Sequence, residues 1–470
     1  MKKGLKITFV ILAALFLGYY AYTRYQNIQS LKGVVHKDAM SVIKVGIHSI
    51  KERLALDALS APQYYYDNLE FSDSSDDDTE EETPGNGITL MPNNLLLFTM
   101  PELDNTLFTV LNIYNPTEFN QFIREELKDK ADTIKKDETG AYETSFFKNK
   151  NTVLAWNEDK LVVALSSKIN STGITSVFKD ILIANKTISD TDHHLLKAVK
   201  KQSSHVVYAD ANGISTLDFK DEKAVLNGNI TSTTSYNSQI IAPKYTNASF
   251  SLHYNAPINN FNKQQLKKQL QSISFFEKNN LNIEKIVEPL DGNFSLAIAG
   301  RVTQNDTIVT YEYNDNFEKV AQKSLEEKEV PGIYLGLGIK KEGLKNHFSE
   351  TGALSTNGIF EPFPLYQLQV EESPSQINFS TDHNTKTIKN KESSYFFNLI
   401  TDFSKLQQDL DIPQTKKLFH ILDSMQLHAW QEEENKIQLQ GFISGFNTDV
   451  NILSQVFFGL NQQQTEETEL

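Results

Sequence analysis

The chain has 470 residues, with 60 acidic and 45 basic side chains, a net charge of −15 and no cysteine. Without thiols there are no disulfides, thiolate metal sites, cysteine nucleophiles or lipid-modified cysteine, so a packed core must supply stability. Asp73 to Glu82 holds seven acids and Glu466, Glu467 and Glu469 add three, leaving −5 for the rest. That near-balanced remainder argues against nucleic acid, whose phosphates demand a basic stripe, and against electrostatic docking on anionic lipid.

Behind Lys2, Lys3 and Lys6 runs a 16-residue apolar stretch, Ile7 to Tyr22. It is shorter than the roughly 20 residues of a spanning helix, but its tyrosine-rich end suits the interfacial layer. Mild bilayer thinning, or snorkelling of Lys6 and Arg24, completes the span. Ile7, Phe9, Leu12, Leu15, Phe16 and Leu17 form the expected membrane anchor. A cleaved secretory signal would share this apolar core, yet Gly18 to Tyr22 puts bulky tyrosines where a small-x-small cleavage site belongs. The lysines hold the amino terminus in the cytoplasm. The expectation is a single-pass inner-membrane protein with its bulk periplasmic, residues 1–26 being cytoplasmic tip and transmembrane anchor.

Beyond the polar stretch Asn27 to Lys37, Ala39 to Val45 reads as a first buried strand. Ile47 to Leu59 reads as a helix, since Ile47, Ile50, Leu54 and Leu56 share a face at helical spacing. Residues 72–87 combine acids, serines and Pro84-Gly-Asn-Gly87 and are expected to form a surface loop. Asp73, Asp76, Asp77 and Asp78 are hard oxygen ligands, but they lack the alternation and central glycine of a calcium loop. No metal is therefore expected.

Strands follow at Asn94 to Met100 and Thr106 to Ile113, then a helix over Pro116 to Lys128. A meander comes next: Glu143 to Phe147, Thr152 to Trp156 and Lys160 to Ser166. Helices at Thr175 to Ile183 and Asp192 to Lys201 precede the strand His205 to Ala209 and the hairpin Ile214 to Phe219 with Ala224 to Thr231. In the second half, helices are expected at Asn262 to Lys278, Phe317 to Lys328, Glu342 to Thr351, Asn398 to Leu410, Gln414 to Ser424 and Asp449 to Leu460. Strands are expected at Asn293 to Val302, Thr307 to Tyr313, Ile333 to Ile339, Tyr366 to Val370 and Gln376 to Ser380, with Gln426 to Gln431 entering a final hairpin. The pattern predicts an α+β fold with antiparallel, hairpin-rich sheets and helices to one side.

The halves share a plan. Ala224 to Thr231 (AVLNGNIT) matches Ile437 to Ser444 (IQLQGFIS) at an offset of 213 residues, and Ala39 to Val45 matches Ala248 to Tyr254 at an offset of 209. Agreement of the two offsets points to internal duplication. The expected organisation is a first α+β repeat over 27–242, a second over 243–460 with Pro243 to Asn247 at the boundary, and an acidic disordered tail over 461–470.

The opening His36-Lys-Asp-Ala-Met-Ser-Val-Ile-Lys-Val45, the stretch Leu290-Asp-Gly-Asn-Phe-Ser-Leu-Ala-Ile298 and the hairpin Asp218 to Gly228 carry a likeness. With them the chain resembles large exported envelope proteins of unknown function from Bacteroidota, although His36 stands where their opening has a proline neighbourhood. The resemblance implies a duplicated exported α+β domain and assigns no catalytic residue.

Reactive constellations are sparse. In Asp192-His193-His194 adjacent helical side chains point about 100° apart, so the pair suits a helix start capped by Asp190 or Asp192 better than a chelate. His205, His253, His347, His383, His420 and His428 lack zinc-like spacing. Gly336-Leu-Gly-Ile-Lys-Lys-Glu-Gly343 sits between strand and helix, where a phosphate loop would, but has neither dinucleotide nor P-loop spacing. Small residues facing a packed neighbour account for it, and no nucleotide or other cofactor is expected. Hydrolase signatures with serine or zinc are missing. Among the aromatic runs Tyr64, Tyr65 and Tyr66, beside the acidic loop, are the best candidates for an interaction surface, together with Asp73, Asp76, Asp77 and Asp78; sugars or lipid chains would suit such rings.

The leading expectation is a non-enzymatic binding or scaffold module of the cell envelope, tethered to the membrane and facing a protein, glycan or lipid partner. One alternative is a carboxylate-dependent hydrolase of envelope glycan or peptide. Another is a carrier of lipid or another hydrophobic ligand.

Overall fold

The computed structural model describes residues 21–68, 86–88, 93–128, 134–147, 151–167, 170–236, 240–313, 317, 319–382, 388–413 and 416–468. It divides into two compact units, Met1–Phe219 and Lys220–Leu470. The division falls in the charged turn after Phe219, ahead of the expected Pro243 to Asn247.

In the first unit residues 21–29 are helical (α1). Then come β1 (Ser41–Val45), α2 (Ile47–Ser60), α3 (Pro62–Asn68), β2 (Leu95–Met100), β3 (Leu103–Asn112) and α4 (Pro116–Leu127). They are followed by β4 (Lys135–Lys136), β5 (Glu143–Phe146), β6 (Thr152–Trp156), β7 (Lys160–Ser166), α5 (Ser171–Leu182), α6 (His194–Lys200), β8 (Val206–Asp210) and β9 (Gly213–Phe219). Every strand pairs antiparallel, and β1 lies between β2 and β8. Side chains opposite one another share a face, so the register sets Ala209, Val42, Phe98, Phe108, Ala164 and Val153 in one apolar row. Phe98 and Phe108 stack at 5.6 Å between ring centres. Phe178 of α5 meets Phe108 edge-on at 6.5 Å. Helices α5 and α6 cover this row, while α4 packs Phe119 against Trp156 on the other face. Asn115 starts α4 by accepting the Thr117 and Glu118 amides, with Pro116 in the first turn where a missing N–H costs nothing.

The second unit contains β10 (Lys223–Thr231), β11 (Ile240–Tyr245), β12 (Phe250–Asn255), α7 (Asn260–Gln271), α8 (Ser274–Lys278), α9 (Ile283–Val287), β13 (Leu290–Tyr313), β14 (Lys319–Ile339) and α10 (Leu344–Glu350). After these come β15 (Gln369–Ser373), β16 (Gln376–Ser380), β17 (Ile388–Ser393), β18 (Phe397–Asp402), α11 (Phe403–Leu410), α12 (Lys416–Phe419), β19 (Leu422–Glu433), β20 (Lys436–Gly445) and α13 (Ile452–Thr468). Its sheet runs β10, β20, β19, β18, β12, β13, β14, β16, β15, all antiparallel. Strands β11 and β17 pair separately.

The expected class, mixed α+β built on antiparallel sheet, is observed. Several elements differ. Where a helix is expected over Phe317 to Lys328 there is strand from Lys319 on, because Lys319 to Lys328 pair residue for residue with Gln304 to Tyr313 and join Ile333 to Ile339 in one continuous β14. Likewise the two strands expected at 293–302 and 307–313 are one β13, bulged between Ile298 and Arg301 where Gly300 has φ of +68°. Residues 398–402 are strand rather than helix; α11 begins only at Phe403, where Asp402 accepts the Lys405 amide. The helix expected over Gln414 to Ser424 shrinks to α12 because Leu422 already opens β19. Helix α13 runs past the expected end at Leu460 to Thr468.

No helix among the described residues is long and apolar enough to cross a membrane. The expected anchor lies almost wholly in residues 1–20, and Asp73, Asp76, Asp77 and Asp78 lie in 69–85; both are outside the described residues.

Candidate functional site

Of the expected surface residues, Tyr64, Tyr65 and Tyr66 belong to α3, and they diverge. Tyr66 is 67% exposed, whereas Tyr64 and Tyr65 are half-buried. The Tyr65 hydroxyl donates to the buried Asp57 carboxylate of α2 at 2.7 Å. Burial, with Asp57 adding to it, raises the Tyr64 phenol above its ordinary value. Two of the three rings therefore build the corner between α2 and α3.

The glycine-rich stretch is filled by the protein itself. Gly336 and Gly338 lie in β14, where a Cβ would collide with Gln376 and Ser295, and with Asp291, respectively. At the start of α10 the Glu372 carboxylate accepts the amides of Gly343 (3.0 Å), Leu344 (2.9 Å) and Lys345 (3.2 Å). An anion already occupies the place a phosphate would take. His193 and His194 sit side by side, 4.4 Å between rings, at the N-terminus of α6. Asp190 accepts the Asp192 amide rather than capping the helix, and no group of three or more metal-ligating side chains occurs among the described residues.

The first unit has a cleft of about 310 Å³ bordered by His36, Asp38, Glu102, Asn170, Ser176 and Asp180. Nothing in the sequence flagged His36 as reactive. It is 1% exposed, accepts the Asp38 amide on Nδ1 at 3.0 Å and points Nε2 to within 3.4 Å of Asp180 Oδ2. Asp180 in turn holds Lys186 Nζ at 2.8 Å. Asp180 is thus tied to His36 and Lys186 at once. The cluster fastens residues 33–37, which bond to Lys186 and Ile188, against α5.

The second unit offers a surface of different character. One face of its sheet carries a row of Leu226, Leu427, Leu399, Leu252, Leu296 and Leu335 on successive strands, interrupted by Gly441. The opposite face carries amides, imidazoles and hydroxyls in the next row: Asn227, Gln440, His428, Asn398, His253 and Ser295. His428 Nδ1 and Asn398 Oδ1 share a hydrogen bond of 2.7 Å, which makes Nδ1 the donor. Tyr395 lies flat on His428 at 4.5 Å and meets Trp430 edge-on at 5.9 Å. Burial lowers both His428 and His253 below the ordinary imidazole value, so both rings are neutral at neutral pH. His253 is 4% exposed, and neither ring nitrogen has a hydrogen-bond partner among the described residues. The signal for this row is its register, which aligns residues more than 200 positions apart.

A third feature is the outer part of the β13–β14 hairpin. Its pairing continues from Arg301 opposite Pro331 to Tyr313 opposite Lys319, beyond the last partner of β12 on β13, Ile298, and the last partner of β16 on β14, Tyr334. At its end Phe317 is 86% exposed with φ of +59°, and Leu325 is 75% exposed.

Comparison with protein-family models, with curated proteins and with solved structures finds no match for this chain.

Proposed function

We propose that the protein is a non-enzymatic binding or scaffold module of the bacterial cell envelope, held by Ile7 to Tyr22 in the inner membrane with its bulk outside the cytoplasm. The observation that carries this reading is the β10–β20 part of the second unit's polar face, where Asn227, Asn229 and Gln440 stay exposed; toward β12 and β13 the same face is covered, with Tyr245 bonded to the buried Ser295. The exposed side chains there, with Phe317 and Leu325 at the outer end of the hairpin, contribute no core and are suited to contact with something else.

Duplication belongs to the same proposal. Strand β1 pairs with the next strand β2 and the late strand β8, just as β12 pairs with β13 and β18. Hairpins β2–β3 and β13–β14 follow, and the successions β8, β9, β10 and β18, β19, β20 close each half. The two segments matched in sequence, Ala224 to Thr231 and Ile437 to Ser444, are thus last strands of the two successions, and they pair with each other.

The carrier reading is favoured by the half-buried leucine row, which would suit an acyl chain. The hydrolase reading rests on the His36 cleft, whose Asp180 is already paired with Lys186. Affinity capture of the full-length protein from crosslinked envelopes, beside a deletion of residues 72–87, separates these. The binding reading expects a reproducible neighbour; recovery of none would overturn it.

A further inference from the structure

The chemistry of the second unit's polar face narrows its ligand. Trp430 stands opposite Gln438, and His428 opposite Gln440, on β19 and β20; Asn229 of β10 flanks Gln438. Gln440 and Asn229 are exposed, and no described residue pairs with the side-chain amides of Gln426, Gln440 or Asn229. The charges beside the patch are of opposite sign and form no stripe: Glu432, which accepts from Gln438 at 2.7 Å, and Lys223, which sits 5.7 Å over the Phe442 ring and 3.5 Å from Glu222. Between them lies a surface of neutral donors and acceptors around the stacked Tyr395 and His428 and the edge-on Trp430.

Each class of ligand makes a different demand. A nucleic acid or a charged peptide needs opposite charge, which the patch lacks. An acyl chain needs continuous apolar lining, whereas this row alternates amides with rings. A sugar hydroxyl both donates and accepts, as a side-chain amide does. The C–H face of a pyranose ring carries slight positive charge and meets the negative face of an aromatic ring. Resting on the binding reading above, we infer that the β10–β20–β19–β18 face binds a neutral glycan chain, with Trp430 as stacking platform and Gln440, Gln426 and Asn229 as hydroxyl partners.

The chain has two tryptophans, and Trp156 is 2% exposed in the first unit's core. In the full-length Trp156→Phe protein, reconstituted in nanodiscs to avoid sugar-based detergents, Trp430 is the sole indole. Cellohexaose, maltohexaose and chitohexaose are titrated, with polygalacturonate as the charged control. The expected result is a saturable change in Trp430 emission with at least one neutral hexaose and none with the charged polymer. Gln440→Ala, an exposed substitution that leaves the core alone, weakens the binding at least tenfold. If Trp156→Phe fails to fold, calorimetric titration of the natural sequence with the same sugars gives the same test. No response to any neutral hexaose, or a response that Gln440→Ala leaves unchanged, overturns the inference. A photo-crosslinker at Asn227, exposed and opposite Gln440, that then traps a protein in cells would sink the glycan while sparing the binding reading; trapping nothing would sink both.

Discussion

The hydroxyl of Tyr65 donates to Oδ2 of Asp57 over 2.7 Å, bonding α3 to a carboxylate that is 1% exposed in α2. A hydrogen bond to a buried charged group contributes about 1.5–3 kcal/mol. Tyr65→Phe is expected to lower unfolding free energy by roughly that amount with no change in oligosaccharide binding by the second unit. Urea denaturation of the two proteins checks it.

Lys44 fills a similar structural place. Its Nζ donates to the Val199 and Gln202 carbonyls at 3.1 and 2.6 Å, closing the C-terminus of α6. Burial pushes the ammonium down to about 8 from 10.5, against the pull of Asp218. Between those two pH values the unfolded chain binds the proton that the folded one has released, so this group's contribution to stability rises with pH through the window. Lys44→Met abolishes that rise. Unfolding measured at pH 7.5 and pH 10 is therefore expected to show the natural protein gaining relative to the variant at the higher pH.

Glu372 is predicted to act on α10 as a surrogate anion. Removing it in Glu372→Ala strips three amides of their acceptor and is expected to cost about 1–2 kcal/mol. Glu372→Gln keeps an acceptor and is expected to retain about half of that. Thermal unfolding of both variants measures the difference.

The outer hairpin is expected to be dispensable for folding. Replacing residues 307–325 by Asn-Gly joins Asp306 to Glu326, which already face each other in the ladder, through a two-residue turn that suits antiparallel strands. The exposed Tyr311, Phe317 and Leu325 leave with the excised segment. The melting temperature is expected to stay within about 2 °C, and a larger drop would show that the ribbon is part of the core.

Local pattern made much of the fold legible. Thr152 to Trp156, Lys160 to Ser166 and Gln376 to Ser380 are strands with the bounds their alternation predicts, and Pro116 with Asn115 announces α4. Where the sequence misled, long-range pairing overrode local preference. Lys319 to Lys328 is rich in helix formers, yet each of its residues has a cross-strand partner in β13. The polar row was invisible for a related reason: Asn227, His253, Asn398, His428 and Gln440 become neighbours only after five strands find their register. His36 and Asp180, separated by most of the first unit's length, belong to the same class of hidden contact.

The two faces of the second unit's sheet give the most direct test of the account. Benzoylphenylalanine is placed in the full-length protein in living cells either at Asn227, exposed on the polar face opposite Gln440, or at Tyr254, which is 39% exposed among the apolar residues of the other face. Light-dependent adducts are expected from position 227 and none from 254. Adducts from 254 alone, carrying lipid, would contradict that and assign the leucine row as the binding surface.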